Sequence, residues 1–260
     1  MTTPPLTARI SAVLFGLRAA PKQFGAASFF KVLNLRTIVY VDGYNLYYSL
    51  LRRSPYKWLN LFSLFRDHVL DADTSELIEL RFYTAPILAS MSDDPESHHR
   101  QRIYWQALRK YCGTQVKIIE GKMISESKHL RLSKPVPGMP DIKSAQVQVL
   151  SEKQTDVRLA VDMVSHALRG VVEQVVLCSN DSDFEPGLQS IREFASDVRI
   201  GLVAPVLADS PRFVSNSLLK HAHWSKRISA QHLLQAQLPI KIPSTALRCP
   251  ESWRVIQDLF

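Results

Sequence analysis

The feature that most constrains this chain is a short apolar run that ends in an acid, a glycine and a helical pattern, residues 37–45 with the sequence TIVYVDGYN. The run is β-branched and aromatic and carries no charge before Asp42, which predicts a strand buried on both faces of a sheet. An Asp at the carboxyl end of a buried first strand, followed at once by a helix, lies where open α/β sheets bind their ligands. Asp42 and Gly43 could equally do no more than form the turn.

The rest of the chain alternates between strand-like and helix-like patterns. Further strands are predicted over 76–85, 116–120, 175–178 and 198–203. Helices are predicted over 44–52, 59–70, 97–111, 156–170, 186–194, 213–219 and 230–237. This alternation implies right-handed crossovers between parallel strands. It therefore predicts an α/β fold, a three-layer α/β/α sandwich around a mainly parallel sheet of about five strands.

Three segments carry predictions of their own. Residues 121–151 contain Pro135, Pro137 and Pro140 and are predicted to form a long irregular, basic loop. Thr155 is expected to cap the next helix. The side chains predicted to face inward on that helix are Val157, Ala160, Val161, Val164 and Leu168. Residues 241–260 are predicted to pack on the outside of the domain through Trp253 and Ile256.

The chain divides into three predicted parts. Residues 1–36 contain no acid and form a basic, disordered or weakly helical extension, residues 37–225 form the main domain, and residues 226–260 form a C-terminal helix and tail packed on that domain. The apolar run at 10–17 is too short to span a bilayer, and no other stretch resembles a membrane span. Three isolated cysteines without a CxxC pair favour a reducing, cytoplasmic compartment. The sequence does not distinguish a monomer from a homodimer.

The charge balance points to a polyanionic partner. The chain has 32 Lys+Arg against 24 Asp+Glu, a formal net charge of +8, which favours nucleic acid. The patterns G-x-G-x-x-G, G-x-x-x-x-G-K-[ST], G-x-S-x-G and H-E-x-x-H are absent. Dinucleotide, P-loop, serine-hydrolase and zinc-protease functions therefore lack their usual sequence support.

Acids recur at positions that the predicted topology brings together. Asp181 and Asp183 follow the strand at 175–178, and this strand is expected to lie beside the first one, which ends at Asp42. Asp156 in the first turn of the preceding helix would join them. Carboxylates this close repel one another unless a cation neutralises them, and an all-oxygen set with Asn45 suits Mg²⁺ or Mn²⁺. The side chains expected to hold a phosphodiester backbone beside this site are Arg100, Arg102, Lys128 and Arg131.

Three ordered motifs resemble those of NYN domains, the PIN-like nuclease relatives that include the bacterial LabA-like group. They are DGYN at 42–45, EKQTD at 152–156 and SNDSDF at 179–184. The resemblance covers roughly residues 37–240 and implies a PIN-like fold with metal-dependent ribonuclease activity on RNA. It places the metal and catalytic positions at Asp42, Asp156, Asp181 and Asp183, with Asn45 supporting the first acid. Gln154-Thr155 stands where close relatives often have a glycine or another small residue.

The resulting hypothesis is hydrolysis of RNA by a metal-activated water, which leaves a 5′-phosphate and a 3′-hydroxyl. Ser179 and Ser182 are candidates for phosphate or supporting contacts, although serines at strand ends often only form turns. Two alternatives stay open. One is a non-catalytic RNA-binding or regulatory module of the same fold. The other is an enzyme that acts on a small molecule, which a small enclosed pocket would favour over an open groove.

Overall fold

The computed structural model describes residues 34–88, 92, 94–139 and 141–254. The strands are β1 Leu35–Asp42, β2 Ser75–Thr84, β3 Val116–Glu120, β4 Lys122–Arg131, β5 Ser144–Lys153, β6 Gln174–Cys178, β7 Arg199–Leu207 and β8 Trp224–Ile228. Six of them form one central sheet in the order β3-β2-β1-β6-β7-β8. Every neighbouring pair in this sheet is parallel. The predicted parallel sheet is thus confirmed.

Strand β1 lies at the centre of the sheet because its apolar residues are buried on both faces. Residues 37–42 are all buried. The chain leaves β1 for β2 on one side, and it returns on the other side of β1 as β6. The strand order therefore reverses at β1 and β6, and a crevice opens beyond their carboxyl ends. Asp42 is the last residue of β1, so the predicted placement of this acid is also confirmed.

Helices cover both faces of the sheet. They are α1 Gly43–Leu46, which continues as a π-helical turn Tyr47–Leu51, α2 Leu61–Ser63, which continues as a π-helical turn Leu64–Val69, α3 Ser97–Cys112, α4 Thr155–Leu168, α5 Glu185–Phe194, α6 Asn216–Leu219 and α7 Ala230–Gln235. Short 3₁₀ turns lie at Gly113–Gln115, Ser182–Phe184 and Glu251–Trp253. Val39 and Val41 of β1 pack with α1, α2, α3 and α7, whereas Ile38 and Tyr40 pack with α4, α5 and α6. Alternate residues of the strand thus pack into two separate hydrophobic cores, one on each face of the sheet. This arrangement gives the three-layer α/β/α sandwich.

The prediction of a long irregular loop over 121–151 is wrong. Strands β4 and β5 form an antiparallel hairpin that pairs continuously from Lys122 with Lys153 to Arg131 with Ser144. The prolines that suggested a loop all fall in the connection 132–143, so both flanking segments keep the backbone N–H groups that a ladder requires. Most side chains of the hairpin are exposed or half-exposed. A strand with polar residues on both faces lacks the alternation by which strands are recognised.

The inward face predicted for α4 is wrong for three of its five residues, whereas Ala160 and Val164 are partly buried and pack against the core as predicted. The helix buries a different stripe, Thr155, Leu159, Met163 and Ala167. Val157, Val161 and Leu168 are exposed instead. The helix carries two apolar stripes on nearly opposite sides, so periodicity alone did not decide which one meets the sheet. Thr155 is likewise not the cap, since Gln154 occupies that position with a left-handed backbone (φ 79°).

The last third of the chain adds one strand that the sequence did not predict. Strand β8 forms the edge of the sheet beside β7 and exposes Ser225 and Lys226, so it lacks a continuous apolar run. Beyond α7, Trp253 packs edge-on against Tyr104 of α3 at 6.2 Å between ring centres. Ile256 and residues 1–33 of the predicted extension lie outside the described residues. Within the part of the chain that the structure describes, no helix is both long and apolar enough to cross a membrane.

Candidate active site at the carboxyl edge of the sheet

A cleft of about 400 Å³ lies at the carboxyl ends of β1 and β6 and is open to solvent on one side. Its lining combines four carboxylates with one guanidinium, two tyrosines, an amide and a hydroxyl: Asp42, Tyr44, Asn45, Tyr48, Ser49, Glu152, Asp156, Asp181 and Arg212. The acids outnumber the single basic side chain. The cleft is therefore an acidic site in a chain whose net charge is positive.

Asp42 is the buried centre of this site, with only 4% of its surface exposed. One carboxylate oxygen, Oδ1, accepts a hydrogen bond from the backbone N–H of Asn45 at 2.9 Å, and Oδ2 accepts one from the Ser179 hydroxyl at 2.8 Å. Burial raises the pKa of Asp42, and the hydrogen bonds from Asn45 and Ser179 act in the opposite direction. Both oxygens are thus fixed in orientation, and each keeps a second lone pair for a ligand.

Asn45 and Asn180 join the two strand ends across the switch point. The side-chain oxygen of Asn45 accepts a hydrogen bond from the backbone N–H of Asn180 at 3.2 Å. The Ser179 hydroxyl that bonds Asp42 also accepts a hydrogen bond from the N–H of Asp181 at 3.1 Å. Because the same few polar groups hold both turns, the position of Asp181 is coupled to that of Asp42.

Asp156 reaches the cleft from the first turn of α4 and has an exposed side chain. Partial burial and four neighbouring acids raise its pKa from 3.8 to about 6; these acids are Asp42, Glu152, Asp181 and Asp183. Glu152 accepts hydrogen bonds from the backbone N–H and the hydroxyl of Thr155, so it faces the same turn. Burial and, after it, repulsion among the carboxylates thus hold the pKa of Asp156 above its ordinary value, and a cation would be stabilised at this place.

The structure brings together most of the predicted site residues. Asp42, Asn45, Asp156 and Asp181 line one cleft. Asp183 is exposed and does not line it, although its N–H donates to the carboxylate of Asp181 at 3.0 Å. Ser179 is fully buried behind Asp42, and Ser182 is exposed. Their roles in binding or catalysis stay predictions.

None of the four predicted basic contacts lines the cleft. Arg100 of α3 pairs with Asp94, which precedes that helix, and Lys128 pairs with Glu126 on the hairpin at 2.7 Å. Arg102 and Arg131 are exposed. The basic residue in the cleft is instead Arg212, which sequence reasoning missed. Arg212 follows β7, and the carboxyl end of β7 lies at the same edge of the sheet as Asp42. This position after a buried strand was the only feature of the sequence that could have indicated Arg212 as a site residue.

The acidic cleft fits a hydrated cation better than a closed metal cage. Among the described residues, no three His, Cys, Asp or Glu side chains converge closely enough to surround one ion. The donors are nonetheless all oxygen atoms, and Mg²⁺ in particular binds through one or two carboxylates while keeping several waters. Asp42 with Asp156 or Asp181 would supply that number of ligands.

The parallel sheet, its two helical layers and an acidic cleft at the switch point define a PIN-like, nuclease-type scaffold. The chain belongs to the NYN domain family, whose model matches residues 36–223. It is 35% identical over 237 residues to 6-hydroxy-3-succinoylpyridine 3-monooxygenase HspA of Pseudomonas putida, covering 84% of this chain and 75% of that protein. A crystal structure of a protein of unknown function from Vibrio parahaemolyticus is similar at a TM-score of 0.46 and 18% identity, over 76% of this chain and 94% of that one.

Proposed function

We propose that this chain is a metal-dependent nuclease that hydrolyses phosphodiester bonds of RNA at the acidic cleft. The observation that carries the proposal is the convergence of Asp42, Asp156 and Asp181 on one cleft, where burial and then repulsion by the neighbouring acids raise the pKa of Asp156 to about 6. Clustered carboxylates would also repel the phosphate groups of a nucleic acid. Such a site can bind a polyanion only when a cation neutralises the carboxylates. The motifs at 42–45, 152–156 and 179–184 also support the narrower LabA-like assignment.

The side chains have separable roles in this proposal. When bound, Mg²⁺ or Mn²⁺ would ease deprotonation of water and stabilise charge on the phosphate oxygens. Asp42, oriented by Asn45 and Ser179, would hold the ion with a neighbouring acid. Asp156 lines the cleft from the first turn of α4, where its carboxylate would complete the set of ligands or orient the attacking water and accept its proton. Displacement of the 3′ oxygen would leave a 5′-phosphate and a 3′-hydroxyl.

The test is cleavage of a labelled single-stranded RNA with Mn²⁺ or Mg²⁺, run beside EDTA. Asp42→Asn and Asp181→Asn should abolish cleavage. Asp197→Asn should not, because this exposed acid precedes β7 at the opposite edge of the sheet. Cutting that survives EDTA or both site variants would contradict the proposal. RNA binding without cutting, equal with and without metal, would favour a non-catalytic binding module.

A second candidate is oxygenation of a small aromatic carboxylate, which is favoured by the named activity of HspA and by the cleft lining. Tyr44 and Tyr48 could contact an aromatic ring, and Arg212 could pair with a carboxylate. The strand order matches that of dinucleotide-binding sheets. However, the first turn holds Asp42 where a pyrophosphate would need glycines and no negative charge.

This candidate has its own test. A monooxygenase consumes O₂ and two reducing equivalents for each substrate oxidised, so oxygen uptake would be measured with 6-hydroxy-3-succinoylpyridine and a reduced nicotinamide. Substrate-dependent uptake that is lost in Arg212→Ala, together with no RNA cleavage, would replace the nuclease proposal. The buried free thiols of Cys112, Cys178 and Cys249 fit a reducing compartment, which supports a cytoplasmic location for either activity.

A further inference from the structure

Large aromatic side chains stand exposed at the rim of the cleft. Phe213 is 85% exposed, more than any other large apolar side chain in the described ranges, and Tyr48 is 58% exposed. Phe213 directly follows Arg212, and Tyr48 itself lines the cleft. Exposed aromatic rings next to a binding site commonly mark a surface that a ligand covers.

The tyrosines form a stacked ladder that leads outward from the acids. The rings of Tyr44 and Tyr48 lie 6.0 Å apart at an angle of 22°, and the Arg52 guanidinium lies 5.4 Å from the centre of the Tyr48 ring. These residues are spaced four apart and share one side of α1 and its continuation. Tyr44 and Tyr48 line the cleft, whereas Arg52 does not, so the ladder extends from the cleft onto the exposed surface.

The loop that carries Arg212 and Phe213 is held by residues of the site. The side-chain amide of Asn180 donates to the carbonyl oxygen of Phe213 at 3.2 Å, and its oxygen accepts from the N–H of Ser215 at 2.8 Å. Arg212 donates to the hydroxyl of Ser49 at 3.0 Å. Because Ser49 follows Tyr48 in sequence, this bond places the guanidinium of Arg212 beside the tyrosine ladder.

We infer that this aromatic rim, Tyr48 with Phe213 and Arg212, binds unpaired bases of a single-stranded nucleic acid next to the acidic cleft. The inference rests on the proposed nuclease function and specifies the form of its substrate. Bases stack on exposed aromatic rings without regard to sequence, and a guanidinium pairs with the adjoining phosphate. In a duplex the base faces are covered by neighbouring bases, so the rim selects single strands.

The position of the aromatic rings favours a strand over a small aromatic molecule. Small-molecule sites are concave, mainly apolar and bury most of the ligand surface. Here the cleft is open and lined mostly by polar groups, and the most exposed ring follows Arg212 in a surface loop. A strand can occupy the acids, Tyr48 and Arg212 in this open cleft and continue to the exposed Phe213, and the net charge of +8 favours such a polyanionic chain.

The experiment measures binding of a short fluorescent single-stranded RNA in EDTA, where the proposed cleavage does not occur. Tyr48→Ala and Phe213→Ala are each expected to weaken binding by about 10-fold, and Tyr48→Phe, which keeps the ring, should bind like the wild type. Matched controls are Tyr111→Ala and Phe194→Ala, since these exposed rings end α3 and α5 at the opposite edge of the sheet. Both controls should retain wild-type affinity.

An abasic strand of the same length separates stacking from charge. It should bind the wild type more weakly than RNA does, and the Tyr48→Ala and Phe213→Ala proteins should bind it as the wild type does. Equal losses on the abasic strand and on RNA, or no loss on either, would overturn the inference. So would unchanged RNA binding combined with weaker binding of 6-hydroxy-3-succinoylpyridine, which would assign the rim to a small aromatic ligand.

The binding assay and the cleavage assay can fail separately. If the rim variants bind RNA normally while metal-dependent cleavage still requires Asp42, the nuclease proposal stands and this inference falls. If RNA binding depends on Tyr48 and Phe213 but no condition gives cleavage, the single-strand surface stands and the nuclease proposal falls.

Discussion

Replacing Asp156 by asparagine should make the metal-free protein more stable near pH 8 and leave its stability nearly unchanged near pH 3, below the ordinary pKa of an aspartate. The folded-state pKa of Asp156 is about 6, above the ordinary value of 3.8. Between these values the folded protein binds a proton that the unfolded chain does not, so stability rises as the pH falls through about 6. Near pH 8 the ionised carboxylate opposes folding, and Asp156→Asn removes that charge.

The size of the effect follows from the pKa shift after correction for solvent. The rise of this pKa from 3.8 to about 6 corresponds to about 3 kcal/mol at face value. Desolvation is the largest cause of the raised pKa, and repulsion by the neighbouring acids adds to it. The side chain is exposed, so water reduces both contributions and leaves about 1 kcal/mol. Loss of a favourable charge in the first turn of α4 offsets part of that gain, about 0.5 kcal/mol. The net expected gain for Asp156→Asn is about 0.5 kcal/mol at low salt, and it should shrink as salt is added.

Urea unfolding in EDTA measures the difference in the free energy of unfolding between the wild type and Asp156→Asn. The unfolding midpoints of the two proteins are compared at the two pH values. Asp183→Asn is the matched control, because Asp183 makes the smallest contribution among the acids that raise the pKa of Asp156. It should stabilise less than Asp156→Asn does. An Asp156→Asn protein that is no more stable than the wild type near pH 8, or equally stabilised near pH 3, would refute the electrostatic account of the cleft.

Three further substitutions or additions test the construction of the site. Ser179→Ala should lower the free energy of unfolding by about 1–3 kcal/mol because it removes a buried donor to Asp42, whereas Ser182→Ala at an exposed position should change little in the same urea assay. Gly43→Ala should destabilise by about 2 kcal/mol or more, since its Cβ would lie 2.6 Å from a backbone oxygen of β2. Gly187→Ala is its control, because there the nearest atom lies at 3.6 Å, and a fall in its melting temperature equal to that of Gly43→Ala would contradict the steric argument. Mg²⁺ at about 100 times its dissociation constant should stabilise the wild type by about 2.7 kcal/mol but not Asp42→Asn, and an equal rise in melting temperature for both would place the ion elsewhere.

The parts of the fold that were predictable from sequence are those that local pattern determines. The charge-free, β-branched run 37–41 predicts a strand buried on both faces, and its neighbours follow from the alternation of strands and helices. Once the sheet is parallel, Asp42 and Asp181 must meet at one edge, because all carboxyl ends lie on the same side. The acidic cleft was predictable for this reason.

The parts that were not predictable depend on tertiary packing. Helix α4 has two apolar stripes, and only contact with the sheet selects Leu159 and Met163 over Val157 and Val161. The hairpin of β4 and β5 keeps polar residues on both faces, so its sequence resembles a loop. Arg212 enters the cleft only because Asn180, 32 residues earlier, holds the loop that follows β7.

The most direct test of the nuclease assignment is end-group analysis of RNA cut by the protein. Hydrolysis by a metal-activated water at the acidic cleft predicts products with a 5′-phosphate and a 3′-hydroxyl, formed only with Mg²⁺ or Mn²⁺ and not by Asp42→Asn. Products that carry a 2′,3′-cyclic phosphate, or that form equally in EDTA, would mean that the 2′-hydroxyl and not water is the nucleophile. The cluster of Asp42, Asp156 and Asp181 would then not be the hydrolytic centre.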